Sequence, residues 1–342
     1  MKKLPILLFV FFVGASVYGQ SDSANHYFEK GMAEKQAKRF REAEKNFAKA
    51  NKFDPSSLPT LLELGAALLE QKRYSEAREK FLEAEKIDAN NSLVVENLST
   101  LSFNMRKYED CIKYAKKMQE KKIGTGSHFL IAKSYYELEN YGEALKYCEL
   151  AFKDDPKNAQ IPYIGGRCYM EMSNYKKSAG CYEQAIALDS SNAVWMYEAG
   201  LMYYAIPNDQ KALYWIEKAG QNGIKKTDDY MENLASAYLN AGKHDEGINI
   251  LKEILQRKPE DQEVLYSIGE SYYKIKKYDE AISYWDKAFG IDKTNASALY
   301  MIGMAYQKKG ETDKGRAMCD RAIQMDPSLA KLKEERKMPG GL

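Results

Sequence analysis

Tyr278-Asp279-Glu280-Ala281 decides the fold, because the same stretch keeps returning. Tyr74-Ser75-Glu76-Ala77, Tyr108-Glu109-Asp110-Cys111 and Tyr141-Gly142-Glu143-Ala144 repeat its character. Its last residue can be followed as Ala43, Ala77, Cys111, Ala144, Ser178, Ala212, Gly247, Ala281 and Gly315, in steps of 34, 34, 33, 34, 34, 35, 34 and 34 residues. A fixed period of this length means one supersecondary unit stacked on copies of itself. The bounds are about 24–57, 58–91, 92–124, 125–158, 159–192, 193–227, 228–261, 262–295 and 296–329.

Two further columns keep register with the first. Twelve residues earlier stands another small residue: Gly31, Gly65, Ser99, Ala132, Gly166, Gly200, Ala235, Gly269 and Gly303. Seven residues later stand Ala50, Ala84, Met118, Ala151, Ala185, Ala219, Ile254, Ala288 and Ala322. A spacing of seven is two helical turns, so the first and third columns share a helix face. The small residues let two helices approach closely. Polar pairs such as Glu139-Asn140 and Ser173-Asn174 mark the turn inside a unit. Asp54-Pro55, Asp155-Pro156, Lys258-Pro259 and Asp326-Pro327 close units, since proline cannot continue a helix.

In these residues the chain resembles the tetratricopeptide repeat family. The eighth unit carries the family pattern as Leu265, Ile268-Gly269, Tyr272, Ala281, Trp285 and Ala288, and the second as Leu61, Leu64-Gly65, Leu68, Ala77, Phe81 and Ala84. The resemblance implies an all-α chain, a right-handed superhelical α-solenoid of helix-turn-helix repeats. The third unit departs from the pattern (Ser99, Ser102, Ala115, Met118) and is followed by Lys121-Lys122-Ile123-Gly124-Thr125-Gly126. The sixth ends in Gly220-Gln221-Asn222-Gly223. Residues 328–338 are expected to form a polar capping helix, as terminal repeats require, and 339–342 a frayed tail.

In this family the first helix of each unit lines a concave groove. The resemblance places Phe129, Lys133, Tyr136 and Glu137 of the fourth unit there, with Tyr163, Arg167, Met170 and Glu171 of the fifth. Tyr197, Leu201 and Tyr204 of the sixth follow, then Tyr266, Glu270 and Tyr273 of the eighth and Tyr300, Met304 and Lys308 of the ninth. Tyrosine and arginine carry much of the energy of protein interfaces. Lys133 and Arg167, one unit apart, suit an extended peptide or partner helix bearing an acidic group. The family's clamp for an acidic C-terminus is not expected: units four to six offer Phe129, Lys133, Ile164, Val194 and Glu198 where it needs Lys, Asn, Asn, Lys and Arg.

The first nineteen residues read differently. Lys2 and Lys3 precede the apolar run Leu4 to Val13, which is too short to span a bilayer. Val17 and Gly19 are small enough for cleavage before Gln20, so 1–19 is expected to be a secretory signal peptide. No cysteine follows it to carry a lipid. The chain is then expected in a periplasm or outside the cell. Without Lys2 and Lys3, the 51 basic residues fall to 49, against 49 acids. A nucleic-acid binder shows a basic excess, so nucleic acid is not an expected partner, nor is a membrane span expected.

Chemistry is not advertised. His26, His128 and His244 lie in the first, fourth and seventh units, without the spacing of metal ligands. There is no phosphate loop, and Gly165-Gly166 belongs to a packing column. Carboxylates sit on solvated faces at i, i+4 from a cation, as Glu76 from Lys80. No cofactor, metal or catalytic residue is expected. Of five cysteines, Cys111, Cys148 and Cys319 fall in packing columns, while Cys168 and Cys181 flank one turn at positions from which a disulfide is conceivable.

The expected function is a non-enzymatic scaffold holding a protein or peptide in the concave groove. The alternative is an accessory subunit of a bacterial envelope machine for secretion, outer-membrane assembly or motility, contacting partners by its convex face or ends.

Overall fold

A computed structural model describes residues 8–331, with side chains from Asp22 onward. The described residues form eighteen α-helices and no strand. They come as α1 (Leu8–Gln36) and α2 (Phe40–Phe53), α3 (Leu58–Glu70) and α4 (Tyr74–Ile87), α5 (Ser92–Asn104) and α6 (Tyr108–Lys121), α7 (Ser127–Glu137) and α8 (Tyr141–Asp154), and α9 (Gln160–Glu171). There follow α10 (Tyr175–Leu188), α11 (Ala193–Ala205) and α12 (Asp209–Gln221), α13 (Asp228–Asn240) and α14 (His244–Arg257), α15 (Gln262–Lys274) and α16 (Tyr278–Ile291), and α17 (Ala296–Lys308) and α18 (Thr312–Met325). The architecture is an all-α solenoid. It divides into two compact bodies, the first up to Ser173 and the second from Asn174.

Local chemistry explains where the helices begin and end. Ser57, Asn91, Asn192, Thr227, Asp261 and Asn295 cap the first helices of their units, each side chain accepting from a backbone N–H of the first turn. Asn140, Asn174 and Asn208 do the same for second helices. The unit-closing aspartates serve the turn after a second helix: Asp54, Asp189, Asp292 and Asp326 each accept the N–H two residues on. Between the paired helices the chain passes through a left-handed residue at Lys38, Lys72, Arg106, Glu139, Ser173, Gly242, Lys276 and Gly310. In the sixth unit this place is taken by Pro207, whose ring forbids positive φ.

Packing follows size matching. A Cβ on Gly65 would lie 2.8 Å from the Phe81 ring, and one on Gly269 2.5 Å from Nε1 of Trp285. Glycine stands opposite a large ring here, as also for Gly31 with Phe47, whereas Gly303 faces Cys319. Where the column carries Ser99, Ala132 or Ala235, the residue sixteen further on is Ala115, Cys148 or Leu251, all buried and none aromatic. The three aromatic partners Phe47, Phe81 and Trp285 are thus each accommodated by a missing Cβ.

In the first body the apolar core is interrupted. One cluster runs from Ala43 to Met118 and another from Ala132 to Cys168, with a smaller group around Ile112, Ala115 and Ile131 between. At this junction Ser99, Ser102 and Ser134 are fully buried. Ser99 donates weakly to the Cys111 carbonyl at 3.4 Å and Ser134 to that of Leu130 at 2.8 Å, while the Ser102 hydroxyl has no partner among the described residues. In the second body a cluster extends from Leu213 to Leu329, and Tyr182, Trp195 and Met196 are buried ahead of it.

Helix α1 starts at Leu8 and continues through Gly19 and Gln20 into the first unit. One expected pairing is corrected. Glu76 does not pair with Lys80: it is held by Arg73, and Lys80 turns to Glu83 at 2.8 Å. The i, i+3 geometry wins because Arg73 sits in the turn ahead of α4, facing the helix start. No disulfide joins Cys168 and Cys181. Of the expected capping helix, residues 328–331 are described: a 3-10 turn, Pro327–Leu329, passes into helical Ala330 and Lys331. Residues 332–338 and the tail 339–342 lie outside the described residues, as do residues 1–7 of the expected leader. Among the described residues no helix is long and apolar enough to cross a membrane.

Candidate interaction groove

In the first body, α5, α7 and α9 are the first helices of successive units. Phe129 and Tyr136 on α7 and Tyr163 on α9 pack half-buried against the core cluster that holds Ala132 and Ile161. Lys133 extends over the Phe103 ring on α5, its Nζ 4.3 Å from the centre, and stands 5.7 Å from that of Phe129. One helix further on, the Arg167 guanidinium lies 4.9 Å from the centre of Tyr136. Each cation is thus held over a ring face, an attraction of about 0.5–1 kcal/mol when partly solvated. Burial pushes the Tyr136 hydroxyl up to about 12, with Arg167 opposing the shift. The phenol stays neutral, and its face stays available to the guanidinium. Tyr136 also meets Tyr141 at 5.9 Å. Met170 is half-buried and Glu171 exposed, and the Glu137 carboxylate accepts from the Tyr108 hydroxyl at 3.1 Å.

Phe103 was not expected in this group. It occupies the same place in the third unit as Tyr136 in the fourth, so the repeat register contains it. The departures of the third unit hide it.

Beside this face, where α6 passes into α7, lies a cavity of about 490 Å³ lined by Met118, Gln119, His128, Phe129 and Asp154. Gly124 and Gly126, both left-handed, shape its wall. His128 and Asp154 are joined through Nδ1 and a carboxylate oxygen.

In the second body the expected residues part company. Tyr197 accepts from Asn233 at 2.7 Å and packs on Tyr230. Leu201 is half-buried. Tyr266 and Tyr273 both lie against Trp285, at 6.0 and 5.8 Å, so much of their surface serves the core. Tyr300 and Met304 are buried at 3% and 9% exposure, leaving little for a ligand to touch. Tyr204 is different, 43% exposed, and opens onto a cavity of about 240 Å³ with Glu232, Ser236 and Asn240 of α13 and Glu263 and Glu270 of α15. Burial, then the neighbouring Asp261 charge, raises the proton affinity of Glu232 above the usual carboxylate range. The seventh unit had offered no expected groove residue, since its Glu232, Ser236 and Asn240 lack the aromatic signal.

Profiles of the tetratricopeptide repeat match residues 28–92 and 165–223, 125–158 and 296–329, and 269–310. A profile of the anaphase-promoting complex, cyclosome, subunit 3 matches 206–288. No curated protein matches the chain in sequence. Among solved structures it is similar to YrrB, a TPR protein described as having an unusual peptide-binding site, at 22% identity over 56% of this chain and 98% of that one, with a TM-score of 0.45. It is also similar to PilF of Pseudomonas aeruginosa, at 14% identity over 64% and 99% with a TM-score of 0.48. The C-terminal part of a TPR repeat-containing protein from Cytophaga hutchinsonii shows 19% identity over 69% and 97%, with a TM-score of 0.49. The repeated register and the profiles that fall on it agree: the chain belongs to the tetratricopeptide repeat family.

Proposed function

We propose that the protein is a non-enzymatic scaffold that holds an acidic peptide or protein segment on the first-helix face of its first body. The observation that carries this reading is the pair of cations on aromatic shelves, Lys133 over Phe103 and Arg167 over Tyr136, on neighbouring units of one face. A cation backed by a ring loses less conformational freedom on binding than one waving in solvent. Aromatic and arginine side chains supply most of the energy in protein interfaces. The scaffold fold fits protein–protein interaction in general, and function is grafted onto it by such local features.

We further propose that the chain acts outside the cytoplasm, in a periplasm or secreted. The support is the leader-like order of Lys2-Lys3, a short apolar run and small residues before Gln20. Mass measurement of the N-terminus of protein recovered from the envelope tests it. A chain beginning at Gln20 supports export, and one retaining residues 1–19 refutes cleavage.

The groove is tested by cross-linking in the native envelope, comparing the natural chain with one carrying Lys133→Glu and Arg167→Glu. Loss of the cross-linked partner supports the reading. Retention of the same partner at the same yield transfers the interaction to the convex face or the ends, as for a subunit of an envelope machine.

A further inference from the structure

We propose that the first-helix face of the second body receives a basic, extended segment of a partner protein, with Tyr204 stacking against it and Glu232 and Glu263 facing its lysine or arginine side chains. The proposal rests on the reading of first-helix faces as protein-binding surfaces, but not on which partner the first body takes.

The groove is a shaped surface rather than a patch of acids. The cavity of about 240 Å³ at Tyr204 adjoins another of about 440 Å³. The two share Glu263 and Ser267, and the second reaches Tyr266 and Ser297. The depression therefore passes from α11 across α13 and α15 to α17, which suits an extended chain. Tyr204 offers a 43% exposed ring beside it, a large rigid contact of the kind that anchors interfaces. Apolar Leu239, Leu251 and Val264 form part of the wall.

Charge selects the occupant. Neither Glu232 nor Glu263 has a cation within ion-pair distance among the described residues. Other acids nearby are already engaged. Asp228 is held by Arg257 at 2.7 Å and Lys258 at 2.8 Å, and Glu270 by Lys274 at 3.3 Å. Asp261 is spent on capping α15. Glu232 and Glu263 are both exposed, so their carboxylates stand open to an incoming cation. A metal ion is a poor fit, because no three of the described acids, cysteines or histidines converge closely enough to hold one. Carboxylates strung along a groove match successive cationic side chains on a strand, and they repel phosphate.

Fluorescence anisotropy of the full chain with two short labelled peptides tests this. One alternates lysine with serine and the other glutamate with serine. The lysine peptide should bind in preference. Glu232→Gln with Glu263→Gln should weaken it about fivefold, the sum expected of two modest charge pairs. Tyr204→Ala alone should weaken it about fivefold or more, as loss of an aromatic anchor does. Lys133→Glu with Arg167→Glu should leave it unchanged. The substitutions lie on solvated positions, and circular dichroism confirms that helix content is retained.

Equal binding of both peptides, or unchanged binding by the Glu232→Gln, Glu263→Gln variant, overturns the proposal. So does a loss on charge removal that Tyr204→Ala does not share, which marks diffuse attraction outside the groove. If the lysine peptide fails while partner capture through Lys133 and Arg167 persists, only this inference falls. If capture through the first body fails and the lysine peptide still binds as described, only the first-body reading falls.

Discussion

Replacing Gly269 with alanine measures how tightly the units are packed. The new Cβ would stand 2.5 Å from Nε1 and 2.7 Å from Cδ1 of Trp285. Comfortable contact needs ~3.5 Å or more. Trp285 has no exposed surface to retreat into. Overpacking of this kind costs about 1–3 kcal/mol. Moving the indole also endangers its 3.1 Å bond to the Tyr266 carbonyl, worth about 1 kcal/mol. Alanine returns about 1 kcal/mol in helix propensity, so the net expectation is a loss of about 1–3 kcal/mol. The seventh unit shows the remedy, pairing Ala235 with Leu251. Trp285→Leu alone should leave a cavity costing about 2–3 kcal/mol, but combined with Gly269→Ala it should recover about 1–2 kcal/mol relative to the sum. Urea denaturation followed by circular dichroism, with hydrogen exchange over α15 and α16, reads the four corners of the cycle. Exchange is needed because repeat arrays do not always unfold in one step. A single variant as stable as the natural chain, or a strictly additive double variant, would refute the size-matching argument.

Glu139→Gly should stabilise the fourth unit by about 0.5–1 kcal/mol, since a non-glycine left-handed residue carries strain that glycine avoids at some entropic cost. Thermal unfolding checks this, and a lower midpoint would contradict it. Asn91→Ala should cost about 1 kcal/mol, because its side chain accepts from the N–H groups of both Leu93 and Val94. Hydrogen exchange at the start of α5 should accelerate before any other helix end. Glu232 binds its proton more tightly in the folded than in the unfolded chain. Its contribution is therefore present below the unfolded carboxylate pKa and lost as pH rises through the higher folded value. Glu232→Gln should flatten that part of the stability–pH curve, and a curve unchanged between the two chains would count against the burial argument.

The repeat register was legible because packing repeats it: Gly65, Gly269 and Ala281 are where they are for steric reasons that act once per unit. What register could not supply was the exception. Nothing in the pattern says that Lys72 and Glu139 adopt the left-handed conformation that Gly242 and Gly310 adopt more cheaply. Only the turn between two closely packed helices imposes it. The tyrosines of the groove positions were equally ambiguous. Tyr204 faces solvent while Tyr266 leans on Trp285, because the second depends on a large neighbour one helix away. The Glu76 pairing failed for a related reason: spacing along a helix cannot see a cation in the preceding turn. Lys133 was visible as a groove residue, but Phe103 beneath it was lost in a unit that had drifted from the pattern.

The buried hydroxyls of Ser99, Ser102 and Ser134 have a mechanical consequence. A linear stack transmits tension through each nearest-neighbour interface in turn, and it yields at the weakest link. Between the third and fourth units of the first body hydroxyls take the place of apolar side chains, and that of Ser102 has no partner among the described residues. Were that seam to part under load, the body would separate into two shorter stacks. Each of them retains an apolar cluster of its own on which to close again.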